Sequence, residues 1–310
     1  MGWKVIHLTK ACKIKIKSKN LILYFYEDDR EVKVTIKDID FILFDNTQFS
    51  ITGKTLELLV KNNIATLFIN EEFIPCGILT PYFQHSTMTE IAYTQISLTK
   101  EFKEKVWQEI IKSKLTNQAK VLELFRRKQF KELKQLSTQV KLYDRNNDEA
   151  QGARIYWKHL FKIPNFKRAQ GAEDIINSML NYGYAIIRAC MARSVSASGL
   201  LPIFGIWHQN KYNAFNLVDD LIEPFRIFVD IYIKILRKKY INKITLDIQL
   251  KREIICLLNF ECVVIKGGVS NLPKAIELFI INYKKAMIKD DSSLIFYPTI
   301  KENCFKYECL

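Results

Sequence analysis

Seven cysteines are scattered through the 310 residues without a single C-x-x-C pair. That absence removes the spacing on which structural zinc sites are built. The odd number and apolar surroundings of Cys12, Cys76, Cys190, Cys256, Cys262, Cys304 and Cys309 read instead as reduced, buried thiols of a cytosolic protein. Long apolar runs are also missing. The best stretch, IFVDIYIKIL, is cut by Asp230 and Lys234, so nothing approaches the roughly 18 uninterrupted apolar residues of a membrane span. At the N-terminus, Lys4 and Lys10 break any signal-like run. Ile6 stands where a myristoylation pattern opening at Gly2 needs Ser or Thr. The expectation is a cytoplasmic protein with no membrane partner.

Acids are scarce relative to bases: 33 Asp and Glu against 47 Lys and Arg, a net charge of +14. A surplus of that size draws polyanions, nucleic acid first. An anionic membrane surface would call for a Lys-rich amphipathic helix or a polybasic tail, and neither stands out. Hydrophobic residues make up 48% of the chain, enough for a globular core and against a disordered chain.

The first 85 residues alternate with period two. In CKIKIKS, Ile14 and Ile16 oppose Lys13, Lys15 and Lys17; in EVKVTIKDI, Val32, Val34 and Ile36 oppose Lys33, Thr35 and Lys37. Such alternation predicts half-buried antiparallel strands with a wet lysine face. Those lysines either guard strand edges against pairing or form a binding face. Asn20 and Asp28–Asp29 supply turn chemistry. ITGKTLELLVKNN predicts one helix within the sheet, followed by a strand in ATLFIN.

From about Ile91 the period becomes 3.6. Phe102, Val106, Ile110 and Leu115 form one stripe, and similar patterns predict helices over 149–161, 173–199, 213–240, 246–260 and 272–287. Strands followed by helices imply an α+β fold: an N-terminal antiparallel β-rich domain (1–88), a larger all-α catalytic domain (89–290) and an irregular tail (291–310).

Between Gly205 and Asp230 the chain reads GIWHQNKYNAFNLVDDLIEPFRIFVD, a histidine and several acids in largely apolar company. Carboxylates enter such surroundings only when paired, hydrogen-bonded or metal-bound. Asp220 and Glu223, at i and i+3, leave one helix turn on the same side, whereas Asp219 lies off that face and reads as solvated. Pro224 removes a backbone donor and loosens the helix beside them. His208 precedes them after a loop and can fold back onto that turn. Upstream, EAQGARIYW places Glu149, Gly152, Ala153 and Tyr156 on one helical face, where small residues allow a close neighbour. Glu149 is then either a first-turn acid stabilising its helix or a ligand. Carboxylates with an imidazole and no thiolate suit Mg²⁺ or Mn²⁺ rather than zinc. Such an ion can polarise a phosphodiester. Arg154, Lys158, Arg188, Arg193, Lys211 and Arg226 flank the acids and are candidates for holding a phosphate backbone.

Read in chain order, KSKLTNQAKVL, EAQGARIYW and LNYGYAIIRACMARSVSASGLLPIFGIWHQNKYNAFNLVDDLIEPFR closely resemble the signature of the CRISPR-associated integrase of spacer acquisition, the "Cas-one" family. The L-N-Y-G-Y, G-L-L-P, H-x-N-x-Y-N and D-D-L-x-E-P-F-R elements look like type II systems. The resemblance covers nearly the whole chain. It implies a homodimer that joins a small "Cas-two" partner, with the β-rich domain serving dimerisation and partner contact. It further implies capture of a short DNA duplex and its insertion into a CRISPR repeat. The family's metal ligands fall on Glu149, His208 and Glu223, which would be the catalytic set, with Asp220 a secondary ligand. The implied chemistry is metal-assisted transesterification, a 3′-hydroxyl attacking a phosphodiester, with endonuclease activity where water substitutes. One departure is that Ala150 replaces a usual Gly and Gly152 a usual Ala, an exchange the helix is expected to accommodate. Two other readings stand beside the integrase: a nonenzymatic DNA-binding scaffold, and a metal-dependent nuclease without joining activity.

Overall fold

A computed structural model describes residues 4–70, 75–79, 87–164, 166–169 and 174–301. Cys304, Cys309 and the end of the expected tail lie outside them. The chain opens with β1 (Lys4–Leu8), β2 (Cys12–Lys17), β3 (Asn20–Phe25), β4 (Arg30–Thr35), β5 (Ile39–Phe44) and β6 (Phe49–Ile51). Helix α1 (Gly53–Lys61) and strands β7 (Ala65–Ile69) and β8 (Pro75–Leu79) complete this lobe. The lysines of β2 are exposed as the alternation requires, and Cys12 and Ile14 are buried between them. Ser18 and Lys19, both at positive φ (49° and 63°), close the β2–β3 turn, the geometry whose twist matches a two-residue hairpin. Asn20 supports it by donating from Nδ2 to the Ser18 carbonyl at 2.7 Å.

The pairing differs from the expected antiparallel pattern. One sheet, ordered β4-β3-β2-β6, holds the antiparallel meander, but β6 joins β2 in parallel. The second sheet, β1-β5-β7-β8, pairs β5 with β1 and β7 in parallel and is antiparallel only at β8. The reason lies in β5. Its FILF run has no wet face: Phe41 and Leu43 enter the core of the helices, while Ile42 and Phe44 enter the core shared with the first sheet. A strand covered on both sides suits the centre of a parallel arrangement.

The helices are α2 (Met88–Ile96), α3 (Lys100–Leu124), α4 (Phe130–Gln139), α5 (Asp148–Leu160), α6 (Ile175–Ala197), α7 (Asn216–Leu221), α8 (Arg226–Lys239) and α9 (Ile248–Ile255). After β9 (Val263–Ile265) and β10 (Gly268–Ser270), α10 (Leu272–Lys289) and β11 (Thr299–Ile300) close the described chain. Thr99 caps α3 by accepting the Phe102 N–H at 3.1 Å, and the stripe Phe102, Val106, Ile110, Leu115 is buried. Each such side chain contributes about 1.5–3 kcal/mol on leaving water. Asp174 caps α6, accepting the amides of Ile176 and Asn177. The second lobe is not wholly helical. β9 is flanked by β10 and β11 in a small antiparallel sheet, so the segment expected as an irregular tail supplies a strand and the buried Ile295 and Ile300.

Ion pairs also join the lobes. Arg193 Nη1 is 2.7 Å from Asp40 Oδ1. Asp45 receives Lys251 Nζ at 2.9 Å and meets His7 Nε2 at 2.8 Å. Cys12, Cys190 and Cys262 are buried thiols as expected, but Cys76 and Cys256 are exposed.

Candidate active site

The site gathers on α3. Glu149 lies in the first turn of α5. Its N–H and that of Asp148 donate to the Asp144 carboxylate at 3.1 and 2.7 Å, so Asp144 serves the open helix end that Asn147 does not cap. The small residue at Gly152 lets α5 approach α3, since a Cβ there would collide with Leu115 Cδ2. Pro224 interrupts the expected 213–240 helix as its missing donor requires. A 3₁₀ turn over Glu223–Phe225 separates α7 from α8, and it brings Glu223 toward α3.

Between the two glutamates stands Lys114. Its Nζ is 2.6 Å from Glu149 Oε1 and 2.6 Å from Glu223 Oε2, and Arg226 Nε is 2.8 Å from Glu223 Oε1. Burial pushes the Glu223 carboxyl up, but Arg226 and Lys114 outweigh it and hold it at about 2. Burial alone would pull the Lys114 ammonium down; Glu223 and Glu149 reverse that and raise it. Lys114 escaped the sequence analysis, although it sits inside KSKLTNQAKVL. Its cue was a charge one position before the buried stripe residue Leu115.

His208 comes from the loop before α7. Asp220, fully buried on α7, accepts the amides of Ile206, Trp207 and His208 at 2.6, 2.9 and 3.2 Å, and also meets His208 Nδ1. Those bonds use both of its oxygens. Asp220 is thus the carboxylate that orients the histidine, leaving Nε2 as the ring atom for a cation or a proton. The bond to Asp220 raises the His208 pKa against the opposing effect of burial, and Glu223 and Glu149 add to the rise. His208 thus lies within electrostatic reach of both Glu223 and Glu149. Among the described residues, however, no three His, Cys, Asp or Glu side chains close on a shared point in this arrangement.

The donor set fits a hard divalent cation: two carboxylates, one oriented imidazole nitrogen and no thiolate. Lys114 already places a positive charge between the two carboxylates. A cavity of about 290 Å³ opens beside them, lined by Lys114, Glu223, Arg226, Arg168, Tyr184 and Asp230. Two guanidiniums lie over the Tyr184 ring, Arg226 at 4.9 Å and Arg168 at 5.3 Å from its centre.

The basic candidates divide. Arg154, Lys158 and Lys211 are exposed. Arg193 is a correction: it is 9% exposed and paired with Asp40, so it clamps the lobes rather than facing a phosphate. Arg188 is engaged by Asp219 through Nε at 2.6 Å and Nη2 at 2.9 Å, which also overturns the reading of Asp219 as solvated. Arg226 is tied to Glu223. Remote partners, unseen in a local window, account for Arg193 and Arg188, whereas the partner of Arg226 stands only three residues before it.

The family model described as "CRISPR associated protein Cas1" matches residues 6–262. The chain belongs to the Cas1 family. It is 29% identical over 301 residues to the CRISPR-associated endonuclease Cas1 of Neisseria meningitidis serogroup C, covering 97% of each chain, consistent with the type II likeness. Among solved structures, a casposase bound to its integration product superposes with a TM-score of 0.76 at 20% identity, covering 99% of this chain and 95% of that one. A chain of a Cas6-RT-Cas1–Cas2 complex superposes at 0.73 and 18% identity, covering 94% of this chain and 36% of that one. Among the described residues no helix is long and apolar enough to cross a membrane.

Proposed function

We propose that this Cas1-family chain is the integrase of CRISPR adaptation, joining the 3′-hydroxyl of a captured DNA duplex to a phosphodiester of the repeat. The observation that carries the reading is the placement of Glu149 and Glu223 on one cation, with His208 oriented beside them by Asp220. Family membership and the likeness to an endonuclease Cas1 support it. The partners assigned are double-stranded DNA, a second copy of the chain and a Cas2 protein.

Glu149, Glu223 and His208 Nε2 would hold Mg²⁺ or Mn²⁺. When bound, the ion supplies Lewis-acid polarisation of the phosphodiester and stabilises the charge that builds on it. The remaining work belongs to the chain. Arg226 and Lys114 keep Glu223 ionised, and Asp220 fixes the imidazole. The cavity cations Arg168 and Arg226, with the exposed Arg154, Lys158 and Lys211, draw and position the phosphate backbone. In the transfer, the 3′ oxygen of the captured strand bonds to the repeat phosphorus as the bond from that phosphorus to the repeat's own 3′ oxygen breaks. The attacking hydroxyl loses its proton and the departing oxygen gains one. With water as the attacking group, the same arrangement cuts DNA.

The test is a strand-transfer assay with a labelled 3′-hydroxyl duplex, a repeat plasmid, the Cas2 partner and Mn²⁺. Joined product is expected with the native chain and absent with Glu149→Ala or Glu223→Ala. Joining that survives both substitutions defeats the reading; hydrolysis without joining makes the protein a nuclease.

A further inference from the structure

Three aromatic rings connect the segments that carry the site, and none belongs to the ligand set. Trp107, 1% exposed on α3, stacks on Trp207 with ring centres 5.5 Å apart and planes 5° from parallel. The same ring meets His208 edge-on at 6.0 Å and 88°. Tyr143, from the turn before α5, closes on Trp207 at 5.1 Å. Trp107 and Lys114 are seven residues apart on α3 and so share a face, about 10.5 Å apart along the axis. One helix thus presents a ring to the histidine and an ammonium to the glutamates.

The Tyr143 turn is strained. Tyr143, Asp144 and Asn147 all have positive φ, at 59°, 48° and 56°, a region that side chains other than Gly rarely adopt. Two contacts hold it there: the Tyr143 ring on Trp207, and the Asp144 carboxylate accepting the Asp148 and Glu149 amides. Strain is therefore held in the turn that sets where Glu149 begins its helix. The bonds of Asp220 tie the His208 loop to α7; the rings tie that loop to α3 and to the start of α5.

We propose that the Tyr143–Trp207–Trp107 stack is a positioning device that fixes His208 relative to Glu149 and Glu223, presenting the three to a divalent cation in register. This inference rests on the metal-dependent reading above, and Trp207 is its most accessible member, at 41% exposure. The rings touch neither the proposed ion nor the reacting atoms; they act through His208 and the Glu149 turn.

The full-length chain is compared with Trp207→Ala, Trp207→Phe and Tyr143→Ala in three measurements. In the metal-free protein, nitrogen NMR of the His208 imidazole is expected to show one ordered tautomer in the native chain. Averaged or broadened signals are expected in Trp207→Ala. Calorimetric Mn²⁺ titration should show about tenfold weaker binding in Trp207→Ala and Tyr143→Ala, as losing the support of a ligand does, and recovery in Trp207→Phe. Strand transfer should lose kcat with KM for the duplex unchanged. Native-like His208 signals and Mn²⁺ affinity in Trp207→Ala overturn the proposal. So does a loss confined to the duplex KM, which would make Trp207 a surface for stacking bases. If Trp207→Ala does not fold, Tyr143→Ala and Trp207→Phe decide on the same measurements. The imidazole spectrum needs no metal, so failure of every form to bind Mn²⁺ would strike the metal reading, while that spectrum still decides the positioning role.

Discussion

Glu149 and Glu223 face each other across a single ammonium, each with a carboxylate oxygen 2.6 Å from Lys114 Nζ. The cation between them offsets their repulsion, and Arg226 adds a second positive charge beside Glu223. Like charges in a partly desolvated site repel strongly, and removing one partner of a buried pair costs about 3–5 kcal/mol. Lys114→Met should therefore lower stability toward urea by about 3 kcal/mol at neutral pH. Mn²⁺ should restore more of that loss than it adds to the native chain, because it supplies the missing charge. Urea unfolding with and without Mn²⁺ checks this. Equal stability of the two proteins, or equal responses to the ion, would remove Lys114 from the site.

Much of this candidate site was legible in the sequence because its residues sit in short, spaced patterns that carry the family resemblance. His208 and Glu223 share one segment, and Glu149 opens another with Gly152 on its stripe. Less legible were residues whose partners lie far along the chain. Lys114 drew no notice, and Arg188 and Arg193 read as candidates for a phosphate backbone, until Glu149, Asp219 and Asp40 arrived from other elements. The orienting role of Asp220 was hidden for a related reason: helix geometry places it on the side of Glu223, while the three loop amides and the His208 ring that bond its oxygens come from outside that turn. In the fold, the long amphipathic stripes of α3 and α10 were plain. Helix α4 was missed because only Leu133 and Ser137 are buried in a charged ten-residue stretch. Parallel pairing of β1, β5 and β7 was missed because it joins strands separated by other elements, which local alternation does not report.

Asp220→Asn tests the orienting role. The amide keeps one acceptor oxygen for the four donors that now share two, and its own N–H₂ faces some of them. About 3 kcal/mol of stability should be lost, from charge-assisted bonds and stranded donors. Mn²⁺ affinity should fall about 10–100-fold as the imidazole loses its anchor. Calorimetry and thermal unfolding measure both. Native-like affinity in this variant would show that His208 is held by something else.

Two glycines near the site should differ in their tolerance of alanine. At Gly205 a Cβ would collide with the His208 carbonyl oxygen and lie 3.0 Å from Asp220 Oδ2. The obstacle there is backbone, and it belongs to the loop that carries His208. Gly205→Ala should displace His208 and abolish Mn²⁺ binding and joining. At Gly152 the obstacle is Leu115 Cδ2, the end of a side chain, with Leu133 and Leu136 at 3.5 Å. Gly152→Ala should cost about 1–3 kcal/mol from overpacking while retaining joining at saturating metal. Reversal of this order, with Gly205→Ala active and Gly152→Ala dead, would contradict the packing described.

Asp230 gives the pH prediction. It is 1% exposed beside the cavity, accepts the Tyr156 hydroxyl at 3.0 Å and also meets the Tyr184 hydroxyl. Burial raises its carboxyl from 3.8 to about 7, against the pull of the two hydroxyls and of Arg226. Between those values the folded protein holds a proton that the unfolded chain has released, so rising pH favours unfolding. The contribution from Asp230 is full below pH 4, declines up to about 7 and is gone above that. Its slope is at most about 1.4 kcal/mol per pH unit. Asp230→Asn removes the titrating proton and keeps the shape, so the difference in stability between native and variant should favour the native chain most at pH 5 and shrink toward pH 8. Urea unfolding at half-unit steps over that range measures the difference. A constant difference would mean that Asp230 is ionised throughout, held by Arg226 and Arg168 rather than neutral beneath the cavity.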